Sequence, residues 1–159
     1  MRTGISLLSA ALALFAATPA LAQSATADIS VSDQPGSTVY APGQSALGKI
    51  RVFNNNSAIG FSSYGVTATI EPVLGGILSL TPRGGTCVRG GNGSQICSLF
   101  RIDGQKAKFV EFDVVLSSDA CSVIRNGQVK IARAYITSKT ADPIADNNMT
   151  NVYVKLACP

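Results

Sequence analysis

Two runs written in a period of two, Ala134 to Ser138 and Thr150 to Ala157, close the chain around the cluster Asp142-Pro143-Ile144-Ala145-Asp146-Asn147-Asn148. Alternation of apolar and polar residues is what a half-buried strand requires, because successive side chains leave opposite faces of the backbone. Proline fixes one dihedral of the intervening cluster, and Asp and Asn bond their own backbone and tolerate left-handed conformations. The segment reads as strand, ordered turn, strand. The same grammar runs back along the chain through Ala27–Ser32, Leu47–Phe53, Tyr64–Ile70, Ile77–Leu80, Ser94–Phe100, Ala107–Ser117 and Gln128–Ser138. Between these runs lie turn signals such as Gln34-Pro35-Gly36-Ser37, Tyr40-Ala41-Pro42-Gly43-Gln44 and Asn54-Asn55-Asn56. Parallel strands would need crossover helices, and nothing beyond the first residues shows a 3.6-residue period. The expected fold is all-β, an antiparallel sandwich of about 7–9 strands.

The inward phases of these strands predict a core of Ile29, Val31, Ile50, Val52, Val66, Ala68, Ile70, Phe112, Val114, Ile131, Ala134, Ile136, Val152 and Val154. Ala134 breaks the strict phase of its strand and marks an expected bulge.

The front of the chain is of another kind. Met1-Arg2 is a positive start, an apolar stretch follows from Ile5 to Ala17, and Thr18-Pro19-Ala20-Leu21-Ala22 offers a small-x-small cleavage site. This is the layout of a secretory signal peptide, and the apolar stretch is short of the ~20 residues of a spanning helix. Residues 1–22 are therefore expected to be removed, leaving 23–159 as a single exported domain in the periplasm or at the cell surface, with no membrane span. The 13 basic and 9 acidic residues, Arg2 among the former, are dispersed without a run. Nucleic-acid binding needs a dense basic stripe, so no nucleic-acid partner is expected.

Four cysteines, Cys87, Cys97, Cys121 and Cys158, follow the leader. An even number in a small exported domain implies disulfides, with three pairings formally possible. Proximity and the terminal hairpin favour Cys87–Cys97 and Cys121–Cys158. A zinc site would require histidine or Cys-x2-Cys spacing, and the chain has 0 histidines.

In order along the chain, Ala27-Asp28-Ile29-Ser30-Val31, the Pro42-Gly43 turn, Ile50-Arg51-Val52-Phe53-Asn54-Asn55, Val66-Thr67-Ala68-Thr69-Ile70, Gly84-Gly85-Thr86-Cys87, Ile102-Asp103-Gly104-Gln105 and Asp142-Pro143 to Asn147-Asn148 resemble the pieces of a bacterial conserved-repeat domain of unknown function, found in surface and adhesin-like proteins. More loosely the chain is similar to the bacterial cell-adhesion-related domain. The resemblance runs from about residue 27 to 157 and implies an immunoglobulin-like fold and a role in adhesion or scaffolding. It carries over no catalytic residue. Departures from the family are the single copy, the aromatic Phe61-Ser62-Ser63-Tyr64 stretch, and the pair Cys121 and Cys158.

Chemistry finds little purchase. Without histidine there is no Ser-His-Asp or Cys-His arrangement. Glu111 and Asp113 share one side of a strand and read as its solvated face rather than a glycosidase pair. Gly84-Gly85 and Gly90-Gly91-Asn92-Gly93 precede no helix and no Gly-Lys-Ser/Thr, so they read as hairpin loops. Asp142, Asp146, Asn147 and Asn148 carry oxygens suited to calcium, but a turn bonding its own backbone accounts for the same residues. No enzyme activity, cofactor or metal is expected. The expected function is a non-enzymatic interaction or structural module binding protein or glycan through loops or a sheet edge. The alternative is a subunit of a polymeric appendage that exchanges strands, against which the short Gln23–Thr26 stretch argues. Within the loop from Ala58 to Tyr64, the residues Ile59, Phe61 and Tyr64 are the candidate contacts, while the competing reading makes Phe61 a cap on the core.

Overall fold

The computed structural model describes residues 26–57, 61–73, 75–84 and 86–159. The expected leader with its cleavage site after Ala22, and Ile59 of the candidate loop, lie outside the described residues.

Among the described residues, ten strands form two sheets. One holds β1 (Ile29–Asp33), β3 (Ser45–Asn54), β8 (Ala107–Leu116) and β5 (Ile77–Arg83) in the order β1-β3-β8-β5. The other holds β2 (Val39–Tyr40), β10 (Met149–Leu156), β9 (Gln128–Thr137), β4 (Ser63–Pro72), β7 (Gln95–Ile102) and β6 (Cys87–Arg89) in the order β2-β10-β9-β4-β7-β6. They face each other as an immunoglobulin-like sandwich. The strand count exceeds the expected 7–9 because β2 and β6 have only 2 and 3 residues, too few for any alternation to register in sequence. Their residues had read as turn and loop. Every strand pairing is antiparallel except β2 beside β10, where Val39 and Tyr40 run parallel to Lys155 and Leu156.

Each inward position expected from the alternation is buried. The phase change in β9 falls slightly earlier than Ala134. Val152 pairs with Ala132 but Tyr153 with Lys130, so Ile131 is the extra residue of a bulge and both Ile131 and Ala132 point inward. Leu156 N–H, an odd number of residues from Tyr153, bonds Gly127 on the β9 side, so by the alternation of a strand the N–H of Tyr153 points away from the β9 ladder.

That group helps close one side of the sandwich. Tyr153 N–H donates to Asp33 Oδ2 at 3.1 Å, and Ile29 N–H donates to Asp142 Oδ2 at 3.0 Å. Ala27 N–H reaches the carbonyl of Ala141 at 2.9 Å. The first strand is thus stitched to the C-terminal hairpin by carboxylates. Asp142 also accepts from Ile144 N–H through Oδ1 and from Asn148 Nδ2 through Oδ2, so both of its oxygens are engaged by donors of the turn and of β1. Asp142→Ala is expected to lower stability by about 2 kcal/mol in urea denaturation, because it orphans backbone donors bonded to a charged acceptor. A loss under about 0.5 kcal/mol would remove the turn from the account of how β1 is held.

Asp33 makes the same seam sensitive to pH. Burial lifts its pKa from 3.8 to about 6, against the lowering effect of backbone donors at Tyr153 and Gln34. Its second oxygen, Oδ1, is buried with no partner among the described residues, which disfavours the ionised form. Between about pH 4 and pH 6 the unfolded chain has released this proton while the native chain retains it, so stability falls as pH rises through that window. Because Asp33 is partly open to solvent, the loss is about 1 kcal/mol after discounting for screening. Asp33→Asn is expected to remove this part of the slope when denaturation midpoints at pH 4 and pH 7 are compared.

The opposite side of the sandwich, between β5 and the β6–β7 hairpin, is protected differently. Pro82 removes one donor from the β5 edge, and the Leu80 carbonyl is capped by Gln95 Nε2 at 3.3 Å. Such devices blunt an edge against strand addition.

Candidate functional site

The alternation of β4 and β7 reverses at the same level in both strands. In β7, Leu99 is buried, Phe100 and Arg101 are both exposed, and Ile102 is buried again. The reversal is made by Phe100, whose φ is 58°. A bulky residue at such an angle is an outlier and costs about 1–2 kcal/mol relative to extended backbone. In β4 the matching residue is Gly65, φ 60°, where the absence of Cβ removes the penalty. A Cβ there would also stand 2.7 Å from Lys139 Cγ, so the glycine lets the lysine stem lie across the strand. Without this turn Tyr64, two residues before the inward Val66, would face the core. With it, Tyr64 is 52% exposed.

The two distortions put one cluster on the surface. Tyr64 pairs with Arg101 across the ladder, and the guanidinium lies 5.4 Å from the tyrosine ring centre. Such a cation–π contact at an exposed site contributes about 0.5–1 kcal/mol. Arg101 Nε also donates to Ser62 Oγ and to Asp103 Oδ1. Ser62 Oγ donates to the same carboxylate at 2.6 Å. The Ser62 hydrogen bond, then Arg101, hold the Asp103 carboxyl below the usual range. Arg101 is therefore fixed through Nε by two acceptors, and its Nη groups make no hydrogen bond among the described residues.

The aromatic stretch is anchored from beneath. Asn54 is completely buried, and its Nδ2 donates to the carbonyls of Phe61 at 2.8 Å and Ile102 at 3.0 Å. Its Oδ1 accepts from Asn56 N–H at 3.1 Å. Ser63 Oγ and Ser138 Oγ meet at 2.6 Å, and Tyr64 N–H donates to Thr140 Oγ1 at 3.0 Å. These bonds hold the stretch in register against its neighbours. Phe61 is 46% exposed and Phe100 64% exposed.

Sequence reasoning had named Phe61 and Tyr64, and the structure brings Tyr64 to Arg101. It had missed Arg101, Phe100 and the buried Asn54. A signal for the first two was present: inward residues run Cys97 and Leu99, then Ile102, a change of parity that demands a phase reversal between them. Gly65 inside an otherwise β-branched run was a second one.

The other residues singled out from sequence lie elsewhere. Glu111 and Asp113 sit on the outer face of the four-stranded sheet, paired with Lys49 at 2.8 Å and with Arg83 at 2.7 Å. The Lys49 hydrogen bond holds the Glu111 carboxyl below its ordinary value, and Lys49 also lies 4.8 Å from the ring centre of Phe109. Cys87 bonds Cys97 directly across the β6–β7 ladder, and Cys121 bonds Cys158, the two favoured pairings. Gly91–Gly93 form a short 3-10 turn between β6 and β7.

No protein-family model matches the chain, and no curated protein matches its sequence. Among solved structures it is similar to a family 123 glycoside hydrolase from Clostridium perfringens, with 12% identity and TM-score 0.41 over 82% of this chain, which spans 27% of that one. It is similar to the cohesin module of a family 33 glycoside hydrolase from Clostridium perfringens, with 12% identity and TM-score 0.39, over 82% of this chain and 98% of that one. It is also similar to AvmM, which catalyses macrocyclisation in alchivemycin A biosynthesis, with 10% identity and TM-score 0.42, over 83% of this chain and 90% of that one.

Proposed function

We propose that the protein is a non-enzymatic, exported binding module that offers Tyr64, Phe100 and Arg101, with Phe61 close to Tyr64 in sequence, to a protein or glycan at the cell surface. The paired phase reversal carries this reading. A chain that accepts an unfavourable backbone angle at Phe100 and leaves the ring in water has an unmet reason to display it, since strained residues persist where function requires them. Aromatic rings beside a held arginine are the composition of interface hot spots, and an exposed ring suits a sugar face equally. The two disulfides suit an oxidising compartment, and no helix among the described residues is long and apolar enough to cross a membrane.

Strand exchange receives less support. The C-terminal strand β10 lies inside its sheet between β9 and β2, the β1 side is stitched by Asp33 and Asp142, and the β5 edge carries Pro82. Among the described residues, both edges of the four-stranded sheet are thus tied or blunted against a donated strand.

The test is binding of the purified protein to isolated cell envelopes and, separately, to the polysaccharide released from them. Saturable binding is expected to one of these. The triple change Tyr64→Ser, Phe100→Asn and Arg101→Gln is expected to weaken it at least tenfold. Asn tolerates the left-handed angle, so Phe100→Asn alone is expected to leave stability unchanged or raise it by up to about 1 kcal/mol. Undiminished binding by the folded triple variant would exclude the cluster as the contact surface.

A further inference from the structure

At the far ends of β4 and β9 from Tyr64 and Phe100, a recess of about 360 Å3 opens beside the β4–β5 connection. Val73 and Val123 wall it over the buried Val129, and Arg125, Gln128, Lys130 and Tyr153 also line it. The polar residues are positioned by rigid elements. Asn126 and Gly127 have φ of 52° and 72°, and Arg125 and Gln128 exchange both backbone hydrogen bonds at 2.8 and 3.0 Å. This is the tight two-residue turn whose twist matches that of a hairpin, so the roots of Arg125 and Gln128 are fixed. Lys130 follows Gln128 by two residues on its strand, and Tyr153 pairs with Lys130 across the β9–β10 ladder. A Cβ on Gly76 would stand 2.8 Å from Val129 Cγ2, so the glycine lets the connection close on the valine wall.

The electrostatics are one-sided. No Asp or Glu among the described residues lines the recess. Among the described residues Arg125 and Lys130 take part in no ion pair. Asp33 engages Tyr153 only at its backbone N–H, leaving the phenol without a protein partner among the described residues. Two uncompensated cations, a phenol and an amide beside an apolar wall form a site for a charged head on an apolar body.

We infer that this recess binds a small organic anion, a carboxylate carried on a short aliphatic or aromatic body. Arg125 and Lys130 take the carboxylate, Tyr153 donates its hydroxyl, and Val73 and Val123 cover the body. The site is separate from the aromatic cluster and does not depend on the function proposed for it.

The test is titration of the 15N-labelled full chain with benzoate, benzamide and sulfate, followed by amide chemical shifts. Benzoate is expected to shift residues 123–130 and 153 saturably and at least tenfold more tightly than either benzamide, which lacks the charge, or sulfate, which lacks the body. Arg125→Gln with Lys130→Gln is expected to weaken benzoate at least tenfold, whereas Phe100→Asn leaves it unchanged. If the double variant loses its dispersed spectrum, Tyr153→Phe serves in its place, with an expected loss of about threefold. Absence of saturable shifts, equal affinity for sulfate or benzamide, or unaltered benzoate binding in the variants would each overturn the proposal.

Discussion

Replacing Phe112 by alanine is expected to lower the stability of the protein by about 3–5 kcal/mol, as the removal of fully buried aromatic side chains does. Phe112 sits on β8, the strand that pairs with both β3 and β5 at the middle of the four-stranded sheet, and is completely buried. Opposite it in the ladder stands Gly48, and a Cβ there would fall 2.3 Å from Phe112 Cε2. The ring therefore occupies the volume that a side chain on β3 would fill. Gly48→Ala is expected to be destabilising as well, by about 1–3 kcal/mol, because a packed core yields poorly to added volume. The two changes combined should cost less than their sum, since the methyl group added to β3 enters the space vacated by the ring. Urea denaturation of the two single variants and the double variant measures this directly. Strict additivity, or a loss below about 1 kcal/mol for Phe112→Ala, would mean that β8 presents its other face to the core.

Phe112 also shows why so much of the sandwich was legible in the sequence. From Lys49 to Val52 in β3 and from Val110 to Val114 in β8 the apolar positions alternate with charged ones, so Ile50, Val52, Phe112 and Val114 could be placed inward before any pairing was known. Lys49, Arg51, Glu111 and Asp113 fell outward for the same reason, and two of their pairings, Lys49–Glu111 and Arg83–Asp113, follow from neighbouring strands. Legibility failed wherever the period broke. The bulge at Ile131 and Ala132 was read two residues beyond Ala132, at Ala134, because two adjacent small or apolar residues do not reveal which one is extra. The reversals at Gly65 and Phe100 went unread because each needs a left-handed residue, and a phenylalanine is the last side chain expected there. The candidate site was therefore only half visible: its aromatic loop stood out by composition, whereas Arg101 is exposed only through the backbone of the residue before it. The recess at Arg125 was hidden for another reason. Its cations come from a turn and a strand, its walls from a separate connection, and only the fold brings them together.

Loss of the Cys121–Cys158 bridge is expected to be the other large effect. The two cysteines are separated by 37 residues and close a loop that contains all of β9 and β10. In the chain-entropy account a loop of that length restricts the unfolded chain by about 4 kcal/mol. The Cys87–Cys97 bridge, with a separation of 10, contributes about 3 kcal/mol in the same account. The longer bridge also acts in the native state. It ties the short 3-10 turn Ala120–Val123, whose Ala120 is completely buried, to the end of β10, where Ala157 N–H bonds the Tyr40 carbonyl. Cys121→Ala with Cys158→Ala should therefore lower the unfolding free energy by about 4 kcal/mol, and amide exchange in that variant should rise first at Leu156, Ala157 and Val123. Cys87→Ala with Cys97→Ala, by contrast, removes a link between strands already paired in register, so exchange in β9 and β10 should stay slow. A smaller loss for the longer loop than for the shorter one would place the stabilisation in native contacts rather than loop closure. Unchanged exchange at Val123 would mean that the wall of the Arg125 recess stands without its covalent tie.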